Sequence, residues 1–451
     1  MIAFNILPEL VIFVLCTVIS TVSAADIIPM LIAFSLMKSI YSWKSSSPAR
    51  KNLQLPAALM LIELGTVISM YAGYSDTKRA VETAAVTILS VIFGYTVIRL
   101  YRRHPFRFPL IISYVVLTLI SVIGYIIFRK LADPEETGTY NWIYITSSIT
   151  LQYSEFLKLL SVAAISVTMS NIRKKPHAIL FYYGYQIINV ILLCGLLEFG
   201  TAMQFIICTC IIAVLLLPEP QHIRPLKHHL TKATLPAVTL IVFCFVLRIS
   251  RKLLMSADPS AGDKQILGHS VHFWNIRLNS SAEEILLAKE GMKSAPLLSA
   301  NLTRFESFKP MKPSVMTDYV FTLMVENFGW IIPTAMILWF AFTMVCIAVR
   351  HHREAASGQV VDAMAVSTVV MLLTQAAIHI LGTWQILPFS GITLPFVSNG
   401  FNSLIVCTVL LTTTEIRTDV RKSPAEPETE NVRVTAVPIN QDTDETFPFI
   451  C

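Results

Sequence analysis

The sequence predicts an all-α protein, a polytopic transmembrane helical bundle, and two observations carry this prediction. Hydrophobic residues make up 54% of the 451 residues and charged residues only 14%, with a mean hydropathy of +0.63. A soluble globular domain carries about a quarter charged residues. Apolar runs of about the twenty residues that cross a bilayer recur along the whole chain, and backbone in hydrocarbon must be helical to satisfy its own hydrogen bonds. The composition therefore excludes a soluble protein.

Hydropathy indicates about twelve spans separated by short polar joints. Their predicted starts lie near Phe4, Ile27, Pro56, Ala80, Phe108, Leu151, Ala178, Thr201, Leu235, Tyr319, Val361 and Phe401. Residues 1–43 hold the first two spans, and residues 44–422 are predicted to form the main transmembrane core. Residues 423–451, rich in proline, threonine and acids, are predicted to be a disordered cytoplasmic tail.

The positive charges predict the orientation of the bundle. The formal net charge is +6, but the charges lie mainly in joints on one side of the predicted spans, which argues against a nucleic-acid surface. Because positive joints face the cytoplasm, both termini are expected there, and the long loop 251–317 is expected outside. The histidines at 228, 229, 351 and 352 fall in cytoplasmic joints and are expected to be solvated.

Within the long loop, "NSSAEEILLAKEGMKS" has the pattern of a short amphipathic helix. Ser281 is a candidate N-cap and Gly291 a candidate stop. The apolar face of such a helix is expected to lie on the membrane surface.

The cysteines indicate neither a metal centre nor a disulfide. Seven of the eight lie inside apolar runs, and no CxxC pair occurs. Core packing is their expected role, and no metal site built by the protein itself is predicted.

The candidate functional residues are charged and amide side chains inside predicted spans, because burying them in hydrocarbon costs several kcal/mol. In "NWIYITSSITLQYSEFLKLL", Glu155 and Lys158 are three residues apart and share a helix face, so they can neutralise each other. Whether such a pair binds a ligand or only holds the bundle together is open at this point.

Three further segments carry polar residues in a membrane setting. "LLEFGTAMQF" contains Glu198, and "TDYVFTLMVENFGW" puts Asp318 at the mouth of the tenth predicted span, with Glu326 two turns deeper. "QAAIHILGTWQILPFSGITLPFVSNGFNSL" contains His379 and Ser398. A histidine in an apolar span is more often a hydrogen-bonded core residue than a ligand.

Taken in order, these segments resemble the motifs of the SEDS family, the bacterial RodA/FtsW-type proteins. The first resembles Arg-Trp-Ile followed by Gln-Pro-Ser-Glu-x-x-Lys, with Asn141 and Tyr153 in place of the arginine and the proline. The second resembles Gln-Pro-Asp-Leu-Gly-Thr, and the third Thr-Asp-Phe-Ile-Phe-Ala-x-x-x-Glu-Glu-x-Gly. The last segment follows Gln-x-x-x-Asn and then Leu-Pro-x-x-Gly-x-x-Leu-Pro-Phe-x-Ser-Tyr-Gly-Gly-Ser-Ser, and it departs at His379, Asn399, Phe401 and Asn402.

Two features stand outside the resemblance. The family has ten spans with three before the Gln-Pro-Ser-Glu helix, whereas five are predicted here, so residues 1–43 look like an added module. The glycine-rich segment that usually precedes the aspartate is replaced by "LLAKEGMKSAPLLSANL".

The resemblance implies a multi-pass protein of the bacterial cytoplasmic (inner) membrane. It would polymerise lipid II, an undecaprenyl-pyrophosphate-linked disaccharide pentapeptide, into glycan strands at the outer face, for cell-wall synthesis in elongation or division. A class B penicillin-binding protein is the implied partner.

The resemblance also implies residue roles. Asp318 is the expected catalytic base, because it is an acid fixed at the depth of a lipid head group; its alternative role is a helix cap. Arg248 and Arg251 are expected to neutralise the pyrophosphate, as could a divalent cation (Mg²⁺ or Mn²⁺), the alternative for the arginines being snorkelling to the interface. The expected substrate-binding residues are Trp142, Glu155, Lys158, Arg248, Arg251, Glu326 and Ser398.

Two other functions stay open from sequence. A lipid-linked precursor transporter would need the charged residues Glu155, Lys158, Glu198 and Glu326 to line one cavity that reaches both faces. A catalytically weakened scaffold for the penicillin-binding protein is suggested by the substituted glycines.

Overall fold

The structure is a computed structural model. It describes residues 58–59, 61–62, 65–66, 77–103, 109–133, 139–145, 150–172, 178–216, 283–298, 315–356, 359–387 and 389–414. The predicted module 1–43, the span from Leu235, Arg248, Arg251 and the tail 423–451 lie outside these ranges.

The regular secondary structure of the described residues is helical apart from one hairpin. The helices are α1 Thr77–Arg103, α2 Leu110–Leu131, α3 Tyr153–Ile172, α4 Ala178–Gly195, α5 Phe199–Leu216, α6 Glu283–Ser294, α7 Val315–Asp318, α8 Val320–Phe328, α9 Ile331–Ala356, α10 Val360–Thr383 and α11 Phe401–Thr414. Strands β1 Trp142–Tyr144 and β2 Thr150–Gln152 pair antiparallel.

Six of these helices, α1, α2, α4, α5, α9 and α10, are long and apolar enough to cross a membrane. Two more predicted spans, α3 and α11, do not meet that test: α3 carries Glu155 and Lys158 in its first turns, and α11 has only 14 residues. The chain is therefore a multi-pass helical membrane protein, as predicted. The total of twelve spans and the side on which the termini lie stay predictions.

Most described spans begin where hydropathy predicts, but the tenth does not. Instead of one span from Tyr319, the chain forms the short helix α8, breaks at Gly329 and starts α9 at Ile331. Gly329 has φ of +76°, and an added Cβ would lie 2.7 Å from the Leu297 carbonyl oxygen, so both the backbone angle and the space require glycine. Hydropathy missed the break because α8 is itself apolar and buried. Glu326 consequently lies in α8 and not inside the long span.

Helix α6 docks on the protein, which corrects its predicted place on the membrane surface. Ala288 and Met292 are buried in the same core cluster as α8, α10 and α11, and the Thr322 hydroxyl lies 3.6 Å from the Met292 sulfur. Gly291 does not stop the helix, which continues to Ser294. An added Cβ at Gly291 would lie 1.2 Å from Glu326 Oε1, so a larger residue there would require the buried Glu326 side chain to shift.

His351 is buried, which corrects the expectation that it is solvated. Its Nδ1 lies 2.6 Å from Asp362 Oδ1 and its Nε2 lies 3.1 Å from the Thr414 carbonyl oxygen. These contacts join the last part of α9, the start of α10 and the end of α11. A buried charged group is tolerated when it is paired in this way.

At the end of the bundle opposite His351, α11 contacts the hairpin and α5 contacts the segment between α10 and α11. Asn402 Nδ2 donates to the Thr150 carbonyl oxygen at 3.0 Å, which joins the start of α11 to the hairpin. An added Cβ at Gly200 would lie 2.7 Å from the Ser390 Cβ, so the start of α5 touches the segment between α10 and α11. We call this the Asp318 end of the bundle, and we call residues 389–400 the connecting segment.

We predict opposite outcomes for two glycine-to-alanine changes. Gly291→Ala places a methyl group on the buried Glu326 carboxylate and should destabilise the docking of α6 by about 1–3 kcal/mol, the usual cost of overpacking. Gly184→Ala in α4 is the matched control, because its added Cβ would meet no atom within 4 Å. The melting temperature of the purified protein in detergent should fall only for Gly291→Ala. Equal melting temperatures for both variants would contradict the packing.

Candidate functional site

Asp318 is half-buried at the last residue of the one-turn helix α7. The N-cap position of the following helix α8 belongs to Tyr319, which makes no side-chain cap hydrogen bond. The structure therefore does not place Asp318 as the N-cap residue of α8, the alternative role considered from sequence. The Tyr319 ring stacks on Phe389 of the connecting segment, with ring centroids 4.5 Å apart and planes inclined by 14°.

Ser398 of the connecting segment bonds directly to the chain beside Asp318. Its hydroxyl donates to the Thr317 carbonyl oxygen at 2.7 Å and accepts from the Leu394 backbone N–H at 2.8 Å. The Asn399 backbone N–H donates to the Met316 carbonyl oxygen at 3.0 Å. The connecting segment thus contacts the chain on both sides of Asp318, through Thr317 before it and Tyr319 after it.

Glu155 and Lys158 form the predicted ion pair near the start of α3. Lys158 Nζ lies 2.6 Å from Glu155 Oε1, and Lys158 and Glu155 are 1% and 4% exposed. A third group shares the ammonium: Gln375 Oε1, on α10, accepts from Lys158 Nζ at 2.9 Å. Because the pair is enclosed and internally bonded, this geometry favours a structural role over direct contact with a substrate.

Gln375 also forms hydrogen bonds to the connecting segment. Its Nε2 donates to the Thr393 carbonyl oxygen at 3.0 Å and lies 3.1 Å from Thr393 Oγ1 and 3.2 Å from Ser403 Oγ. Gln375 lies eight residues before the end of α10, about 12 Å along the helix axis. The connecting segment therefore reaches into the bundle to that depth.

Side chains of the bundle satisfy the backbone of the connecting segment where it is not helical. Besides Gln375, His379 Nδ1 lies 2.6 Å from the Ile392 carbonyl oxygen. Non-helical backbone at membrane depth is tolerated only where it is buried in protein, and Thr393 and Leu394 are 9% and 1% exposed. His379 therefore has the expected hydrogen-bonded core role.

The structure locates the other predicted site residues away from this contact chain. Trp142 is half-buried in β1, with Gln152 as its partner in the hairpin. Glu326 is 3% exposed and lies against Gly291 of α6. Glu198, which precedes α5, accepts from the Thr201 hydroxyl at 3.0 Å.

The fit of a divalent cation can be tested only on the described residues. They contain no group of three or more His, Cys, Asp or Glu side chains that could hold a metal ion. Mg²⁺ is commonly bound by one or two carboxylates together with substrate phosphates, so Asp318 and a pyrophosphate would suffice. The cation stays a prediction that depends on the substrate.

We predict that the ion pair cannot be broken on one side without loss of folded protein. Lys158→Ala removes the hydrogen-bond partner of Glu155 Oε1, while Glu155 Oε2 already has none among the described atoms. Glu155→Ala leaves the ammonium with Gln375 alone. Each change should destabilise the protein by about 3–5 kcal/mol, the usual cost of leaving a buried charge unpaired.

The measurement is the yield of monodisperse protein from membranes, together with its melting temperature. Lys130→Ala is the control, because Lys130 is exposed at the end of α2. Wild-type yield and melting temperature for both single variants would exclude a structural role of the pair.

The sequence is similar to proteins named FtsW. A family model described as "Cell cycle protein", of the FtsW/RodA/SpoVE type, matches residues 292–417. A "Probable peptidoglycan glycosyltransferase FtsW" of Saccharophagus degradans is 34% identical over 95 residues, which is 21% of this chain and 24% of that protein. A protein of the same name from Buchnera aphidicola is 25% identical over 336 residues, 72% of this chain and 75% of that protein.

The extent of these matches differs. Three of the FtsW relatives are covered over only 24%, 24% and 32% of their own length. A chain from the solved structure described as "Structural coordination of polymerization and crosslinking by a peptidoglycan synthase complex" aligns with a TM-score of 0.53 and 15% identity, over 82% of this chain and 97% of that chain. At that identity the alignment shows a shared fold.

The family match contains the residues on which the site depends, namely Asp318, Glu326, Gln375 and Ser398. The alignment with the Buchnera protein extends over most of the chain, and the fold is shared with a solved chain. These findings agree with the order of the motifs: residues 292–417 are similar to the FtsW/RodA/SpoVE-type cell cycle proteins, and the chain shares its fold with a chain of a peptidoglycan synthase complex.

Proposed function

We propose that this protein is a peptidoglycan glycosyltransferase, which polymerises lipid II at the outer face of the bacterial cytoplasmic membrane for cell-wall synthesis in elongation or division. The observation that carries the proposal is the placement of Asp318, a half-buried acid at one end of the bundle whose neighbours are bonded to the connecting segment. Relatives with the name "Probable peptidoglycan glycosyltransferase FtsW" support the same activity here.

In the proposed reaction Asp318 is the general base. A sugar hydroxyl of one lipid-linked chain attacks the anomeric carbon of another, and the carboxylate takes the hydroxyl proton as the new glycosidic bond forms. The bond between the anomeric carbon and the pyrophosphate breaks, and undecaprenyl pyrophosphate leaves with the electron pair. A carboxylate at the end of the bundle suits this chemistry, because lipid-linked sugars are displayed at the level of the head groups.

The departing pyrophosphate needs positive charge. Lys158 is fully enclosed by Glu155 and Gln375, so it does not supply that charge in this arrangement. Arg248 and Arg251 stay the proposed cations, and a divalent cation held by the pyrophosphate would supply the same positive charge.

The proposal includes an orientation and a partner. The basic joints put both termini in the cytoplasm and the Asp318 end outside, where lipid II is presented. The solved chain that shares this fold is described as part of a "peptidoglycan synthase complex", which supports assembly of the present protein with a penicillin-binding protein that cross-links the strands.

The described contacts give the transporter function no support. That function needs charged residues facing one continuous pathway. In the structure Glu155 and Lys158 bond to each other, Glu198 bonds to Thr201, and Glu326 lies against Gly291. Within the described ranges these four side chains therefore occupy three packed environments, with Glu155 and Lys158 sharing one of them.

We predict the orientation from single-cysteine labelling. In a background without the eight native cysteines, a cysteine at Ser299 should react with a membrane-impermeant reagent added to intact cells, and a cysteine at Ser423 should react only after lysis. The reverse pattern would place Asp318 in the wrong compartment for lipid II and would contradict the proposal.

We predict that Asp318→Asn abolishes polymerisation while the protein still folds. Asparagine has nearly the same size and shape as aspartate but its amide cannot accept the proton as a base, so the rate should fall on the order of a hundredfold or more. The measurement is polymerisation of labelled lipid II by the purified protein, alone and with its partner.

Asp133→Asn is the control for this variant, since Asp133 is an exposed acid just after α2. It should retain the unmodified rate. Near-normal polymerisation by Asp318→Asn would exclude Asp318 as the base. No polymerisation by the unmodified protein with its partner would favour the scaffold function.

A further inference from the structure

The helix that ends at Asp318 cannot hold its own position. Within the described residues, helix α7 comprises one turn, Val315–Asp318, and one turn of helix is not stable without tertiary contacts. At Tyr319 the backbone leaves helical geometry, with φ of −117° and ψ of 15°, before α8 begins. The position of Asp318 therefore depends in part on what the neighbouring residues contact.

Those contacts come from the connecting segment. Its first residue, Phe389, stacks on Tyr319, and at its other end Ser398 and Asn399 bond to the Thr317 and Met316 carbonyl oxygens. Of these contacts, the one from Ser398 is a side-chain hydrogen bond, so a single substitution can remove it.

The Ser398 hydroxyl also fixes the turn from which it acts. It accepts from the Leu394 backbone N–H, while the Ser398 N–H donates to the Leu394 carbonyl oxygen at 3.0 Å. Within this turn Phe396 has φ of +66°, an uncommon conformation for a residue with a side chain. The hydroxyl thus joins a strained turn to the chain beside Asp318.

The same turn is anchored to the bundle. Thr393, next to Leu394, accepts hydrogen bonds from the Gln375 side-chain amide, and the Oε1 atom of that amide accepts from Lys158. A continuous chain of contacts therefore runs from the buried ion pair through α10 and the connecting segment to Thr317. The connecting segment is therefore held in place by the Gln375 and Lys158 side chains, which lie about 12 Å inside the bundle.

We propose that Ser398 is a positioning residue for Asp318, and that it does not bind substrate as expected from sequence. The single proton of its hydroxyl is given to Thr317, so no donor is left for a ligand. The proposal rests on the proposed function in one respect, because it takes Asp318 as the base. The hydrogen bond that it invokes can be tested without any activity.

The first measurement is amide hydrogen exchange of the full-length protein in detergent. Ser398→Ala should raise exchange in peptides that cover residues 315–328 and leave peptides from α2 and α4 unchanged. Ser166→Ala is the matched control, because its hydroxyl bonds only to the Ala163 carbonyl oxygen within α3. If Ser398→Ala leaves exchange in 315–328 at the unmodified level, the proposal is overturned.

The second measurement is lipid II polymerisation, analysed as a double-mutant cycle. Ser398→Ala should lower kcat about tenfold or more with KM unchanged, since small displacements of a catalytic group cost one to two orders of magnitude. In the Asp318→Asn background the same change should have no further effect on the residual rate, because a residue that acts only through Asp318 has nothing left to position.

Three results would overturn the proposal: a raised KM with unchanged kcat, which indicates substrate binding; additive losses in the cycle; and a fall of kcat with the Ser166→Ala control as well. If Ser398→Ala does not accumulate, Ser398→Cys, which keeps a weak donor, takes its place and should give smaller changes in the same direction. If the unmodified protein does not polymerise lipid II, the proposed function fails, and the exchange measurement alone decides whether Ser398 orders the chain around Asp318.

Discussion

The arrangement of the described residues depends on one buried ammonium group. Lys158 lies among apolar helices, where an unpaired charge would cost several kcal/mol, and it is shared between the Glu155 carboxylate and the Gln375 amide. Glu155 is on its own helix, whereas Gln375 lies on α10. The need to pair the charge therefore fixes how α3 sits against α10, and the remaining hydrogen-bonding capacity of Gln375 is directed at the connecting segment.

The hydrogen bonds from Gln375 matter because the connecting segment cannot satisfy all of its own backbone groups. Its backbone is not helical, yet most of it is buried, and Gln375, His379 and Ser398 supply hydrogen bonds that a helix would otherwise provide internally. An irregular segment held in this way has one defined shape. It can therefore position α7, which is too short to define the place of Asp318 by itself. The pairing of Lys158 thus helps to hold the connecting segment, and the connecting segment in turn holds the chain next to Asp318.

The sequence predicted those parts that depend on local pattern. Spans such as α2, α4 and α10 begin within two residues of their predicted starts, because length and apolarity alone define them. The Glu155–Lys158 pair followed from a spacing of three residues. Its third partner is 217 residues further on, and no spacing rule reaches that far. Two of the wrong predictions, a span from Tyr319 and a stop at Gly291, have the same cause: in each case a tertiary contact gives a residue a role that its own segment does not show.

Three positions that depart from the motif pattern make contacts between elements. Asn141 accepts from the Ser154 backbone N–H at the start of α3, Tyr153 donates to the Ser121 carbonyl oxygen of α2, and Asn402 joins α11 to the hairpin. Glu155, Lys158, Gln375, Asp318 and Ser398 match the motifs. The side chains that link Lys158 to Thr317, namely Gln375 and Ser398, therefore match the motifs. Some of the surrounding contacts between elements come from residues that do not match them.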